Sequence, residues 1–142
     1  RQSYAALTAA GSMAHDLLRT QLPAKSAPCL YHLLSSYFKK TFTFESPAIL
    51  AASFRMKLLL HEGLLALQTH CIHCDLAAAF LMQGESVCPA HSSPAAIGFS
   101  IPEWQILHCL AFAKQFSLLQ QIDCPLSLNE KITVLFEERT KY

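Results

Sequence analysis

Three of the six cysteines in this chain are spaced to hold a metal ion. Cys71 and Cys74 form a C-x2-C knuckle, and after thirteen intervening residues Cys88 and His91 form a C-x2-H knuckle. Two residues between ligands let a tight turn aim both side chains at one ion. Two such knuckles complete a tetrahedral set, here three thiolates and one imidazole. The spacing predicts one structural zinc per chain, because four protein ligands leave no position for the water that a catalytic zinc needs. His70 and His73 crowd the first knuckle as alternative fourth ligands, and His91 is preferred because it completes the second knuckle symmetrically. The competing reading is a redox pair at Cys71 and Cys74, which lacks the βαβ surroundings such pairs favour. Cys29, Cys109 and Cys124 stand singly in helical patterns or at a helix end and read as small buried hydrophobes.

Little else suggests catalysis. There is no G-x-S-x-G, and four glycines supply no phosphate-cradling loop. His61-Glu62 lacks the second histidine of H-E-x-x-H, since position 65 is Leu. His61 reads as a polar residue near a helix end, and His15, His32 and His108 as helix-face or core-edge residues. The expectation is a protein with no catalytic residues; a thiol oxidoreductase or a metallo-hydrolase is disfavoured by the closed ligand set. Among the cations, Lys39 and Lys40 end one helix, Arg55 and Lys57 lie on the next, and Lys114 lies beyond the knuckles. Most such residues are simply solvated. The sharper reading is that Arg55 and Lys57 flank an apolar groove that captures an acidic, hydrophobic peptide.

The elements around the knuckles read as helices. Tyr4, Leu7, Ala14, Leu17, Leu18 and Leu22 fall at helical spacing and predict a helix to about residue 21, stopped by Pro23. Pro28 opens a second, whose stripe is Leu30, Leu33, Leu34, Tyr37 and Phe38. Ser46-Pro47 opens a third, which Gly63 closes. Residues 78–82, a turn at 83–86 and Val87 suit a short hairpin between the knuckles. Ser100 with Glu103 and Ser127 with Glu130 have capping-box spacing. The first predicts one long buried helix through Leu118 and Ile122, ended by Cys124-Pro125; the second predicts the last helix. The expected fold is mainly α: a single helical domain over 1–142 with a zinc-ribbon-like insertion at 70–92.

Composition narrows the classes further. At 142 residues, 52% hydrophobic and 15% charged, the chain can bury a core and is not a disordered one. Eleven Lys and Arg against ten Asp and Glu give no strong field for gripping nucleic acid. Residues 71–91 contain no Lys or Arg. Three thiolates with one Zn2+ would add about −1 there. The longest apolar run, residues 76–82, falls far short of the ~20 residues of a membrane span, so a soluble, intracellular chain is expected. The mean hydropathy of +0.27 and the lack of an initiating Met suggest the C-terminal piece of a longer protein, with apolar surface meeting a missing domain or a partner.

The order of these features resembles the C-terminal region of the bacterial RecO family of recombination mediators. The likeness is most specific over residues 54–100: Phe54-Arg55-Met56-Lys57-Leu58-Leu59-Leu60-His61-Glu62-Gly63 before the knuckles, the knuckles themselves, then Gly98-Phe99-Ser100 and a helix. Cys71, Cys74 and Cys88 match family zinc ligands, and His91 stands where many members have a fourth cysteine. The resemblance implies a non-enzymatic, cytoplasmic, nucleoid-associated role in bacterial DNA repair and recombination. The implied partners are the acidic tail of single-strand-binding protein, RecR, and single- and double-stranded DNA, the last mostly through an absent N-terminal OB-fold, in support of strand annealing and RecA loading. Arg55 and Lys57 are the nominees for the tail. The alternative is a small zinc-ribbon regulator that binds DNA or a protein directly.

Overall fold

The computed structural model describes residues 2–20 and 28–140, so the predicted stop at Pro23 and the last two residues lie outside the described residues. Among these, the chain forms α1 (Gln2–Thr20), α2 (Pro28–Thr41), α3 (Pro47–His61), β1 (Phe80–Met82), β2 (Glu85–Val87), β3 (Ile97–Gly98), α4 (Ile101–Phe112), α5 (Phe116–Gln120) and α6 (Leu126–Arg139). The strands form one antiparallel sheet of order β2-β1-β3. The mainly-α fold with a small inserted sheet is thus the observed one.

α3 organises the bundle, touching α1, α2, α4 and α6. Its Leu50, Phe54, Met56, Leu58 and Leu59 are all fully buried, so it presents apolar surface in every direction. Polar side chains then fasten it to each neighbour. Tyr37 Oη of α2 lies 2.8 Å from Ser53 Oγ, which donates to the Leu110 carbonyl of α4 at 2.7 Å. Arg55 Nε donates to Asp16 of α1 at 2.6 Å, its Nη1 donates to Thr133 of α6 at 3.0 Å, and the guanidinium lies over the Phe136 ring. Lys57 Nζ donates to the Ala113 carbonyl at 2.6 Å, just past α4.

Several expectations need correction. The predicted long helix after Ser100 is two: α4 stops at Phe112, and extended Ala113 and Gln115 separate it from α5. No glycine or proline marks this break in the sequence. At that point the Ala113 carbonyl meets Lys57 instead of continuing a helical ladder. The Ser100–Glu103 capping box is present in both directions. That at Ser127 is not, because α6 begins at Leu126 after Pro125 and leaves Ser127 inside the helix. Ser46 precedes Pro47 as expected but makes no side-chain cap bond. Cys29 is exposed, and Cys109 and Cys124 are half-buried, so none of the three is a fully buried hydrophobe.

Asp16 is 1% exposed and depends on Arg55 for its counter-charge. Arg55→Ala should lower stability by about 3–5 kcal/mol, the cost of stranding a buried carboxylate, and denaturant titration should show most of it recovered in the Asp16→Ala/Arg55→Ala double variant. Glu103 carries a second, titratable tie. Its carboxyl is held below its ordinary pKa of 4.5 by Lys131, 2.8 Å away, and by the Ser100 amide. A depressed carboxylate stabilises the fold above its unfolded pKa and loses that contribution as pH falls through the folded value. Glu103→Gln should therefore lower Tm at pH 7, and the gap to wild type should close as pH falls below 4.5.

Candidate metal centre

The chain leaves α3 through a tight stop. Gly63 adopts φ +72°, the Leu64 amide donates to the Leu59 carbonyl at 2.9 Å, and the Gly63 amide donates to Leu60 at 3.2 Å. Left-handed backbone at this point favours glycine. Leu65 and Leu67 then plug into the main core and anchor the first arm of the finger.

The second arm is a hairpin tighter than the sequence suggested. Its turn is only Gln83-Gly84, with φ of 53° and 81°, and Met82 pairs with Glu85. Two residues of positive φ suit the right-handed twist of a short hairpin. Gly84 is required twice over, because a Cβ there would also strike the Leu64 carbonyl. The two arms are tied by Ser86, whose buried hydroxyl accepts from the Gln68 amide and donates to the Ala66 carbonyl, each at 2.9 Å. The Ala66 amide donates to the Gly84 carbonyl at 2.7 Å, and Arg139 Nε of α6 donates to the Leu64 carbonyl at 2.8 Å. β3, which the sequence analysis did not anticipate, covers the other edge of β1, with Gly98 beneath the Phe80 ring.

These contacts bring both knuckles together. The Cys71 amide donates to the Leu76 carbonyl at 2.8 Å and closes the first. A 3-10 turn over Pro89–His91 forms the second and swings His91 back toward Cys88. Ligand atoms of Cys71, Cys74, Cys88 and His91 all lie within 4.8 Å of one another. Cys74 Sγ is 3.6 Å from Cys88 Sγ, and His91 Nδ1 is 3.5 Å from Cys71 Sγ and 3.1 Å from Cys88 Sγ. A tetrahedron with Zn–S of ~2.3 Å and Zn–N of ~2.0–2.1 Å has edges of roughly 3.5–3.8 Å. The set therefore fits one tetrahedral ion, and all four cysteine-cluster partners arrive without a disulfide.

Local chemistry favours metal-ready thiolates. Burial pushes the Cys71 thiol up, but hydrogen bonds from the His73 and Cys88 amides and the neighbouring thiols outweigh it and bring it to about 6. Cys88 is also lowered, against its burial, by the His91 ring and amide. The Cys88 sulfur in turn raises His91. Cys74 moves the other way: a hydrogen bond from the Leu76 backbone favours its thiolate, but burial and the sulfurs of Cys88 and Cys71 together outweigh it. The alternative ligands are placed elsewhere: His70 Nδ1 lies against Thr69 Oγ1 at 3.0 Å, and His73 packs its ring on His91.

Arg55 and Lys57 are not brought to one groove. Arg55 lines a groove of about 450 Å³ between α1, α3 and α6, with Tyr4, Thr8 and Ala52. Lys57 lines a separate groove of about 220 Å³ between α2 and α5. The other member of that second groove's charge, Lys114, was singled out in the sequence only as one cation among several.

The fold is a bundle of helices with a small inserted finger, on which three cysteines and a histidine cluster closely enough to hold one ion. No protein-family model matches the chain. It is 36% identical over 141 residues to DNA repair protein RecO of Chlamydia pneumoniae, which covers 96% of this chain and 56% of that protein. The RecO proteins of Chlamydia trachomatis serovar L2 and Chlamydia muridarum are each 30% identical over 141 residues, covering 96% of this chain and 58% and 60% of theirs. The chain is thus similar to these RecO proteins along nearly all of its own length, and it spans somewhat under two thirds of theirs.

Gly84→Val should cost about 2–4 kcal/mol through backbone strain and collision with Leu64, read as a fall in Tm together with weaker metal retention. Elemental analysis should find about one zinc per chain. Cys88→Ser should lose it and lower Tm, since metal-binding energy is also folding energy.

Proposed function

We propose that this chain serves DNA repair as part of a RecO-type recombination mediator, acting as a non-catalytic scaffold. The observation that carries this reading is the match to RecO proteins along 96% of the chain. It is a single helical unit, and residues 70–92 form an insertion closed by a structural Zn2+ on Cys71, Cys74, Cys88 and His91. Its partners are single-strand-binding protein, RecR and DNA, and its outcome is strand annealing and RecA loading. DNA is held mainly by parts of the whole protein other than this near-neutral chain.

The acidic, apolar tail of single-strand-binding protein is assigned to the groove of Lys57. Leu33, Tyr37, Phe116 and Leu119 supply its apolar wall, Lys57 and Lys114 its charge, and no carboxylate lines it. A tail of that chemistry gains an apolar anchor and two cations at once. Arg55 contributes from inside, by fixing α3 against α1. In fluorescence anisotropy at low salt, a labelled tail peptide should bind with micromolar Kd and weaken as salt rises. Lys114→Glu should reduce affinity about tenfold, as expected for reversing one charge beside an anionic ligand. No binding by the zinc-loaded wild-type chain would refute the role.

A further inference from the structure

The three thiols of the candidate metal centre are not equally open to solvent. Cys71 is 5% exposed and Cys88 is 0% exposed, while Cys74 is only half-buried. A dissolved oxidant therefore meets Cys74 first, since susceptibility follows thiolate character and exposure. Residues 71–91 hold no Lys or Arg to draw charge from the sulfurs. Three thiolates against one divalent ion carry a net charge of about −1, which keeps them nucleophilic.

The geometry also supplies a second thiol to complete the reaction. Cys74 Sγ lies 3.6 Å from Cys88 Sγ, across the gap between the two knuckles. Joining them asks the sulfurs to approach by roughly 1.5 Å. Cys88 needs no access of its own, because it attacks its neighbour rather than the oxidant. Cys71 is held otherwise: its sulfur accepts from the His73 amide at 3.4 Å and faces His91 Nδ1 at 3.5 Å. A Cys74–Cys88 bond encloses residues 75–87, which contain β1, its turn and β2. The bonds at the base of the finger, from Ser86 to Gln68 and Ala66 and from Ala66 to Gly84, involve no ligand. The hairpin can therefore outlast the ion.

Resting on the zinc reading above, we propose that the finger is a peroxide-responsive closure, held by the ion when reduced and by a Cys74–Cys88 disulfide when oxidised. Hydrogen peroxide transfers one oxygen to the Cys74 sulfur. Its O–O bond breaks, hydroxide leaves and takes a proton from solvent, and a sulfenic acid remains. The Cys88 thiolate then attacks that sulfur. The S–S bond forms, the S–O bond breaks, and a second hydroxide leaves and is protonated. The two sulfurs together give up two electrons, and one peroxide with two protons becomes two waters. Cys71 and His91 are then two donors of the four that a structural zinc requires, so they cannot retain it.

Treated with hydrogen peroxide, the zinc-loaded 142-residue chain should release one zinc per disulfide formed, read with a chromogenic chelator. Peptide mass mapping after alkylation should place that disulfide at Cys74–Cys88 and find Cys71 alkylated. The oxidised, metal-free chain should melt above the reduced chain stripped by chelator, and dithiothreitol with zinc should restore the starting Tm. Cys74→His keeps four ligands and removes the accessible thiol, so it should hold zinc about tenfold longer under the same peroxide. The wild-type mass map decides whether or not that variant loads. A Cys71–Cys74 or Cys71–Cys88 bond in place of Cys74–Cys88, or full zinc retention in millimolar peroxide, would overturn the inference. A chain purified without zinc would sink the metal reading by itself; peroxide should still form the Cys74–Cys88 bond in that chain, and its absence there would overturn the disulfide closure too.

Discussion

A helix buried on every side is unstable to rotation and sliding unless something fixes its angle, and α3 is fixed by polar side chains rather than by shape alone. Ser53, Arg55 and Lys57 leave it at successive alternate positions and reach α4, α1 with α6, and the end of α4 respectively. Each satisfies a group that burial would otherwise leave costly. Apolar packing supplies the drive to assemble, while these bonds select one register among the many that Leu, Met and Phe would tolerate. Because the chain passes directly from α3 into the finger, that register also sets where the finger begins.

The finger solves a different problem. Three strands of three, three and two residues cannot hold themselves by packing. Its apolar core is little more than Val87 with the cysteines, Phe80 and Met82. The Cys71, Cys74, Cys88 and His91 side chains gather where a core would otherwise be, and the hydroxyl of Ser86 substitutes for a fuller sheet by bonding the two arms.

Where local sequence decides structure, the sequence was readable. Knuckle spacing picked out the four side chains, Cys71, Cys74, Cys88 and His91, that the fold gathers into one cluster, proline and serine located the starts of α2, α3 and α4, and glycine located the end of α3. Where a distant residue decides, it was not. The gap between α4 and α5 answers to Lys57, some 56 positions away. β3 is a strand only because Phe80 and Leu81 are beside it. The separation of Arg55 from Lys57 into two grooves follows from helix rotation, which neighbouring helices set. Ser127 shows the converse hazard, a local capping signal overridden by a helix that starts one residue earlier.

The bond from Arg139 to the Leu64 carbonyl spans 75 positions and joins the base of the finger to the last helix. During synthesis, residues 71–91 are complete long before Arg139 emerges. The knuckles can gather as a local event, whereas the bond that seats the finger on α6 must await Arg139. The nascent chain thus passes through a stage in which the gathered knuckles hang from an unclosed bundle, and Arg139 of α6 acts as the latch.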